Sequence, residues 1–136
     1  MEKPKFSSNQ QVAISVLAGL LLLSGIAFTF TLYLGPEGPF FAAAPIIASE
    51  MVFALIFLPL LWWRNKAGYI GAIGVGIFDL ILFGVSGIRG IIVLSPEVVS
   101  PALVIVHIVL SVVLIVTSVT AGREKEKEKL STTQIG

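Results

Sequence analysis

The stretch that decides the fold is AAAPIIASEMVFALIFLPLLWW, residues 42–63, in which Glu50 is the single charged side chain. A helix of about 20 apolar residues is long enough to cross the hydrocarbon core of a bilayer. The stretch therefore predicts a membrane-spanning helix. It also raises the question of what a carboxyl group does inside such a helix.

The composition of the whole chain supports a membrane protein. Hydrophobic residues make up 56% of the 136 residues and charged residues 12%, with a mean hydropathy of +0.99. Soluble domains carry about 25% charged residues, so a soluble globular domain is excluded. The absence of cysteine excludes disulfides, Cys-ligated zinc and thiol nucleophiles. A formal net charge of +1 gives no sign of a nucleic-acid partner.

Four stretches are long and apolar enough to span a bilayer, and short segments with turn-forming Gly, Pro or Asn separate them. The predicted spans are residues 12–34, 40–63, 69–94 and 101–121. We predict an all-α membrane protein, a compact antiparallel bundle of four transmembrane helices within residues 1–122. Residues 123–136 are predicted to form a charged, flexible cytoplasmic tail, because REKEKEKL alternates in sign and a polar STTQIG follows it.

The basic residues predict the orientation in the membrane. Eight of the nine Lys and Arg residues lie before the first span, between the second and third spans, or after the fourth. The first and third loops carry only Glu37 and Glu97 as charged residues. Short basic segments stay on the cytoplasmic side, so both termini are expected there. The expected location is the cell membrane of a prokaryote, as a multi-pass protein.

Small and polar residues predict which helix faces meet, because membrane helices associate through close packing and polar contacts. In the third span, Gly76, Gly87 and Gly90 share one helical face with Asp79. In the fourth span, Ser111 and Ser118 lie seven residues apart on one stripe. These five positions are the predicted helix-packing residues, apart from the acid.

Two acids are predicted at one depth. The second span enters from outside and the third from inside, which places Glu50 and Asp79 at a similar level of adjacent helices. Acids within a membrane usually face the protein interior and often serve a function. The pair is therefore a candidate proton or cation site. The alternative is a neutral Glu50 that only fastens two helices by hydrogen bonding, which the sequence favours slightly.

A second polar pocket is predicted near the outer surface, from Arg89 and His107. Arg89 is the one basic residue outside the cytoplasmic segments, and its side chain is long enough to reach the headgroups. His107 is the only histidine, so no metal site and no other cofactor is expected.

Two classes of function remain after these exclusions, and neither is an enzyme. The first is a non-catalytic accessory or structural subunit, or an assembly partner, of a larger membrane complex, such as a respiratory or energy-transducing one. Short loops and sparse polar chemistry favour this class. The second is a small oligomeric transporter or channel coupled to protons or ions through Glu50 and Asp79. The expected partners are the lipid bilayer and either other membrane subunits or further copies of the chain.

Overall fold

The computed structural model describes residues 7–37, 44–86 and 101–135 of the chain. These residues form four α-helices and one π-helical segment, and they include no β-strand. In chain order the elements are α1 (Ser8–Leu34), α2 (Ala44–Trp62), α3 (Lys66–Asp79), the π-helical segment (Leu80–Ser86) and α4 (Pro101–Ile135).

Four of the described helices are long and apolar enough to cross a membrane, counting α3 and the π-helical segment as one. The prediction of an all-helical, multi-pass membrane protein is therefore confirmed. The third predicted span differs in one respect: its helix changes from α to π at Leu80, directly after Asp79. The remainder of that span, from residue 87 onward, lies outside the described residues.

Local side chains fix where the helices begin and end. The Ser7 hydroxyl accepts a hydrogen bond from the backbone N–H of Gln10 at the start of α1. Asn65 does the same at the start of α3, where its side-chain oxygen accepts from Ala67 at 3.0 Å. These side chains satisfy N–H groups that have no partner within the helix. At the end of α1, Gly35 adopts φ 77°, a conformation that glycine enters without steric cost.

Each helix packs against two others. α1 contacts α2 and α4, and α3 also contacts α2 and α4. Consecutive helices are therefore neighbours, and the first and last helices are also in contact. The core between them contains apolar side chains from all four helices, including Leu17, Leu61, Val75 and Leu114.

Glycines bring α3 close to both of its neighbours. A Cβ atom on Gly68 would lie 2.4 Å from the carbonyl carbon of Leu60, and one on Gly71 would lie 2.0 Å from the ring of Phe57. On the other side, a Cβ on Gly76 would lie 2.7 Å from Ile115 and 3.2 Å from the carbonyl oxygen of Ser111. The predicted packing role of Gly76 therefore has a specific neighbour, α4.

One end of the helical assembly is held by polar contacts. Gln10 of α1 donates to the carbonyl oxygen of Leu61, and Asn9 donates to Glu124 at 2.9 Å. Arg64, in the turn between α2 and α3, forms an ion pair with Glu128 at 2.9 Å.

The charged segment that begins at residue 123 was predicted to be a tail separate from the transmembrane domain. In the structure α4 continues through it as a helix as far as Ile135. Its acidic side chains contact α1 and the turn between α2 and α3. The amino-terminal end of α1, this turn and residues 124–128 therefore lie together.

Candidate functional site

All four helices contribute polar side chains to one buried cluster. Ser24 comes from α1, Glu50 from α2, Asp79 from α3, and His107 with Ser111 from α4. Each of the five is at most 4% exposed. We call this set of five residues the polar cluster.

Asp79 joins α3 to α4. Its Oδ2 atom accepts a hydrogen bond from the Ser111 hydroxyl at 2.5 Å, and His107 Nδ1 lies 3.4 Å from the same oxygen. The other carboxyl oxygen, Oδ1, has no hydrogen-bond partner among the described residues. The two oxygens of one carboxyl group therefore have different surroundings.

Glu50 lies beside Asp79 in the polar cluster. Its carboxyl group interacts electrostatically with the Asp79 carboxyl and the Ser24 hydroxyl. Within the described residues, neither carboxyl oxygen of Glu50 forms a hydrogen bond of good geometry, and the same is true of the Ser24 hydroxyl oxygen, although Asp79 and Ser24 both lie near enough to interact with the Glu50 carboxyl. A buried polar group without a partner costs about 1–3 kcal/mol. Two such groups next to one another, the Glu50 carboxyl and the Ser24 hydroxyl, are therefore an arrangement that a purely structural contact does not need.

Glu50 also lines a cavity between α2 and α3. The cavity has a volume of about 350 Å³, and its other lining residues are apolar: Phe53, Phe57, Ile70, Gly71, Gly74, Val75 and Phe78. Because these walls carry no polar side chains, the cavity keeps the surroundings of the carboxyl group apolar on this side.

His107 is held by stacking on the π-helical segment. Its ring lies parallel to that of Phe83, with centroids 3.8 Å apart and an angle of 7° between the planes. Phe83 belongs to the π-helical segment that begins one residue after Asp79. Short π-helical segments within α-helices occur often at functional sites, because they turn side chains away from the regular helical positions.

The side chains of the polar cluster can exchange and relay protons. The described residues contain no group of three or more His, Cys, Asp or Glu side chains that could hold a metal ion. What they provide is two neighbouring carboxyl groups, one imidazole and two hydroxyls. These are groups that gain, lose or relay a proton.

The structure accounts for some of the predicted site residues and leaves others outside. Glu50 and Asp79 lie in the same cluster, and Ser111 and Ser118 are fully buried. Arg89, Gly87 and Gly90 lie outside the described residues, so the predicted pocket of Arg89 with His107 is not described. The described partner of His107 is instead Asp79.

Three members of the cluster were not predicted to belong to it. Ser24 was not singled out in the first helix, His107 was predicted to lie in an outer pocket with Arg89, and Ser111 was predicted only to pack against a neighbouring helix. The signal available for Ser111 was its position four residues after His107, which puts both on one helical face. No sequence pattern indicated that Phe83 stacks on His107, because this contact depends on the π-helical segment.

Comparison with known proteins adds no further information about the site. The chain has no significant match among protein-family models, curated proteins or solved structures. The case for a function therefore depends on the geometry of the polar cluster.

Proposed function

We propose that this chain is a small, non-catalytic, multi-pass membrane protein that translocates protons through Glu50 and Asp79. One observation carries the proposal. Each of the four helices contributes to a single buried cluster, and within it neither oxygen of Glu50 has a hydrogen-bond partner among the described residues.

The cost of the arrangement favours a proton site over helix fastening. A charged acid at the centre of a bilayer costs about 2.5–3.5 kcal/mol on insertion scales, and two adjacent carboxylates also repel each other. Fastening offsets such a cost only when the carboxyl oxygens form hydrogen bonds. Asp79 meets this condition through Ser111, whereas Glu50 does not. Glu50 is therefore the less constrained acid of the pair, whereas a proton that binds Asp79 must do so beside the hydrogen bond from Ser111.

The proposed arrangement is an antiparallel four-helix bundle with both termini on the cytoplasmic side. Two facts support this orientation. The start of α1, the turn at residues 63–65 and residues 124–128 contact one another, and eight of the nine basic residues belong to the segments at this end.

The orientation is testable because the natural sequence has no cysteine. A cysteine at position 65 should resist a membrane-impermeant thiol reagent in intact cells, and a cysteine at position 37 should react. Labelling of position 65 with protection of position 37 would reverse the orientation.

The function is testable with purified protein in lipid vesicles that enclose a pH-sensitive dye. A potassium diffusion potential, negative inside, should drive protons into vesicles that contain the protein faster than into empty vesicles. Glu50→Gln and Asp79→Asn should each reduce the rate to that of empty vesicles, because an amide cannot release a proton.

The matched control is Glu126→Gln, which removes an exposed carboxyl in the charged part of α4. This variant should translocate protons as the natural protein does. Proton uptake that never exceeds that of empty vesicles would overturn the proposal, as would full activity of Glu50→Gln.

A second candidate function is that of a subunit in a larger membrane complex. The observation in its favour is an open cavity on the surface that α1 and α2 form together. These two helices leave an open cavity of about 710 Å³, lined by Gly25, Met51 and large apolar side chains. Extraction in a mild detergent, followed by identification of proteins that co-purify in fixed proportion, tests this candidate. A single species of the mass of one or several copies of this chain would contradict it.

A further inference from the structure

The Ser111 hydroxyl has two acceptors but one hydrogen. Its oxygen lies 2.5 Å from Asp79 Oδ2 and 2.6 Å from the backbone carbonyl oxygen of His107. Both separations are within hydrogen-bonding distance. Since a serine hydroxyl has one hydrogen to donate, it cannot form a full, linear hydrogen bond to both acceptors at the same time.

We infer that Ser111 is the positioning residue that couples the proton on Asp79 to the backbone of α4. When Asp79 is ionised, Ser111 donates its hydrogen to Oδ2. When a proton is bound at Oδ2, Asp79 donates to the Ser111 oxygen, and Ser111 turns its own hydrogen to the carbonyl oxygen of His107. Both short contacts are then hydrogen bonds.

No covalent bond of the serine breaks in this exchange. The proton that arrives stays on Asp79, and the hydroxyl rotates about its C–O bond. The inference rests on the proposed function, and it deepens it by naming Oδ2 as the oxygen of the acid pair that takes the proton.

Other hydroxyls in the described helices show what an uncoupled side chain does. Thr31, Ser49 and Thr120 each donate to the carbonyl oxygen four residues earlier, at 2.7–2.9 Å. Thr117, in the same helix as Ser111, does so at 2.7 Å, and its second acceptor is another backbone carbonyl. Ser111 differs from all of these because its second acceptor is a carboxyl group.

Two titratable groups of the described residues face Asp79. Glu50 interacts with it from α2, and His107 lies against Oδ2 from α4; the α1 member of the cluster, Ser24, does not titrate. An experiment on Ser111 must therefore separate its response from a direct effect of Glu50 or His107.

The single histidine of the chain provides a selective reporter. Histidine labelled with ¹³C at the carbonyl places one label in the protein, on the acceptor carbonyl of His107. Isotope-edited infrared spectroscopy of the full chain in lipid bilayers then follows that carbonyl as the pH is varied. Because a hydrogen bond lowers the carbonyl stretching frequency, we expect the labelled band to shift to higher frequency as Asp79 loses its proton.

Three variants define the mechanism. Ser111→Ala should hold the band at the high-frequency position at every pH, although Glu50 and His107 remain present. Asp79→Asn should hold it at the low-frequency position, since an amide N–H replaces the bound proton as donor to Ser111. Thr117→Val should leave the pH-dependent shift unchanged.

Ser111→Thr keeps the protein testable if the alanine variant fails to fold. It retains a hydroxyl on the same atom, so the shift should be restored. A band that does not change with pH in the natural protein would overturn the inference, and so would a shift that persists in Ser111→Ala.

The result is separable from the vesicle experiment. A band that responds to pH through Ser111, without proton uptake into vesicles, would support the coupling and contradict translocation. Proton uptake with a band that is independent of pH would remove the role of Ser111 and leave the proposed function standing.

Discussion

The contact of Gly68 with the end of α2 allows a quantitative prediction for Gly68→Ala. The added Cβ atom would lie 2.4 Å from both the carbonyl carbon of Leu60 and the amide nitrogen of Leu61. Ordinary contact begins near 3.4 Å, so the two backbones must separate by about 1 Å. No side-chain rotation relieves this clash, because the atoms that are contacted belong to the backbone.

The separation also strains the turn between α2 and α3. The amide of Asn65 donates to Leu60 at 2.9 Å, and that of Arg64 donates to Leu61 at 3.1 Å. Overpacking of a close contact costs about 1–3 kcal/mol, and each weakened hydrogen bond adds about 0.5–1.5 kcal/mol. Because Ala has a higher helix propensity than Gly, the substitution also stabilises the helix by about 1 kcal/mol, which offsets part of this cost. We therefore expect Gly68→Ala to lower the free energy of unfolding by about 3 kcal/mol.

Gly74→Ala is the matched control, because it makes the same chemical change in the same helix, and no described atom outside the adjacent backbone of that helix lies within 4 Å of the new Cβ. Unfolding in mixed micelles, with increasing fractions of denaturing detergent, measures both variants by circular dichroism. Fluorescence of Trp62 and Trp63 reports directly on the end of α2. Equal stability of the two variants would refute the close approach of α3 to α2 at Gly68.

Two further predictions use the same unfolding assay. Ser111→Leu should destabilise the protein by about 1–3 kcal/mol more than Val112→Leu. It removes the hydroxyl that donates to Asp79 and adds volume at a fully buried position, whereas Val112 is 45% exposed. Similar stabilities of the two variants would contradict an inward-facing Ser111. Glu128→Ala should cost less than about 1 kcal/mol despite the ion pair with Arg64, since the side chain of Glu128 is 62% exposed and water screens the pair; a loss of several kcal/mol would show that this end of the structure is more tightly held than the exposure indicates.

Hydropathy was sufficient to predict the helices, because each spanning segment has to satisfy its own backbone within an apolar surrounding. The four apolar helices and their all-α character follow from that requirement alone. The placement of Glu50 beside Asp79 also follows from a simple count of residues along helices that run in opposite directions. These are properties of single helices and of their order in the chain.

The contact of Asp79 with His107 and Ser111 depends on how two helices pack against each other, and the sequence analysis therefore did not predict it. It depends on how far α3 is shifted along α4, which is set by the fit of Gly76 against Ile115. No pattern within either helix contains that shift. The change to a π-helix at Leu80 is likewise absent from the hydropathy pattern, since both helix types bury an apolar sequence equally well.

The polar cluster contains side chains from all four helices, and this has a consequence for genetics. A substitution at Asp79 alters the surroundings of side chains on α2 and α4 at once. Second-site suppressors of a defective Asp79 variant are therefore expected to map far away in the chain, at positions near 50 and 107–111, rather than among its sequence neighbours. A random mutagenesis screen for such suppressors would trace the boundary of the cluster without any structural measurement.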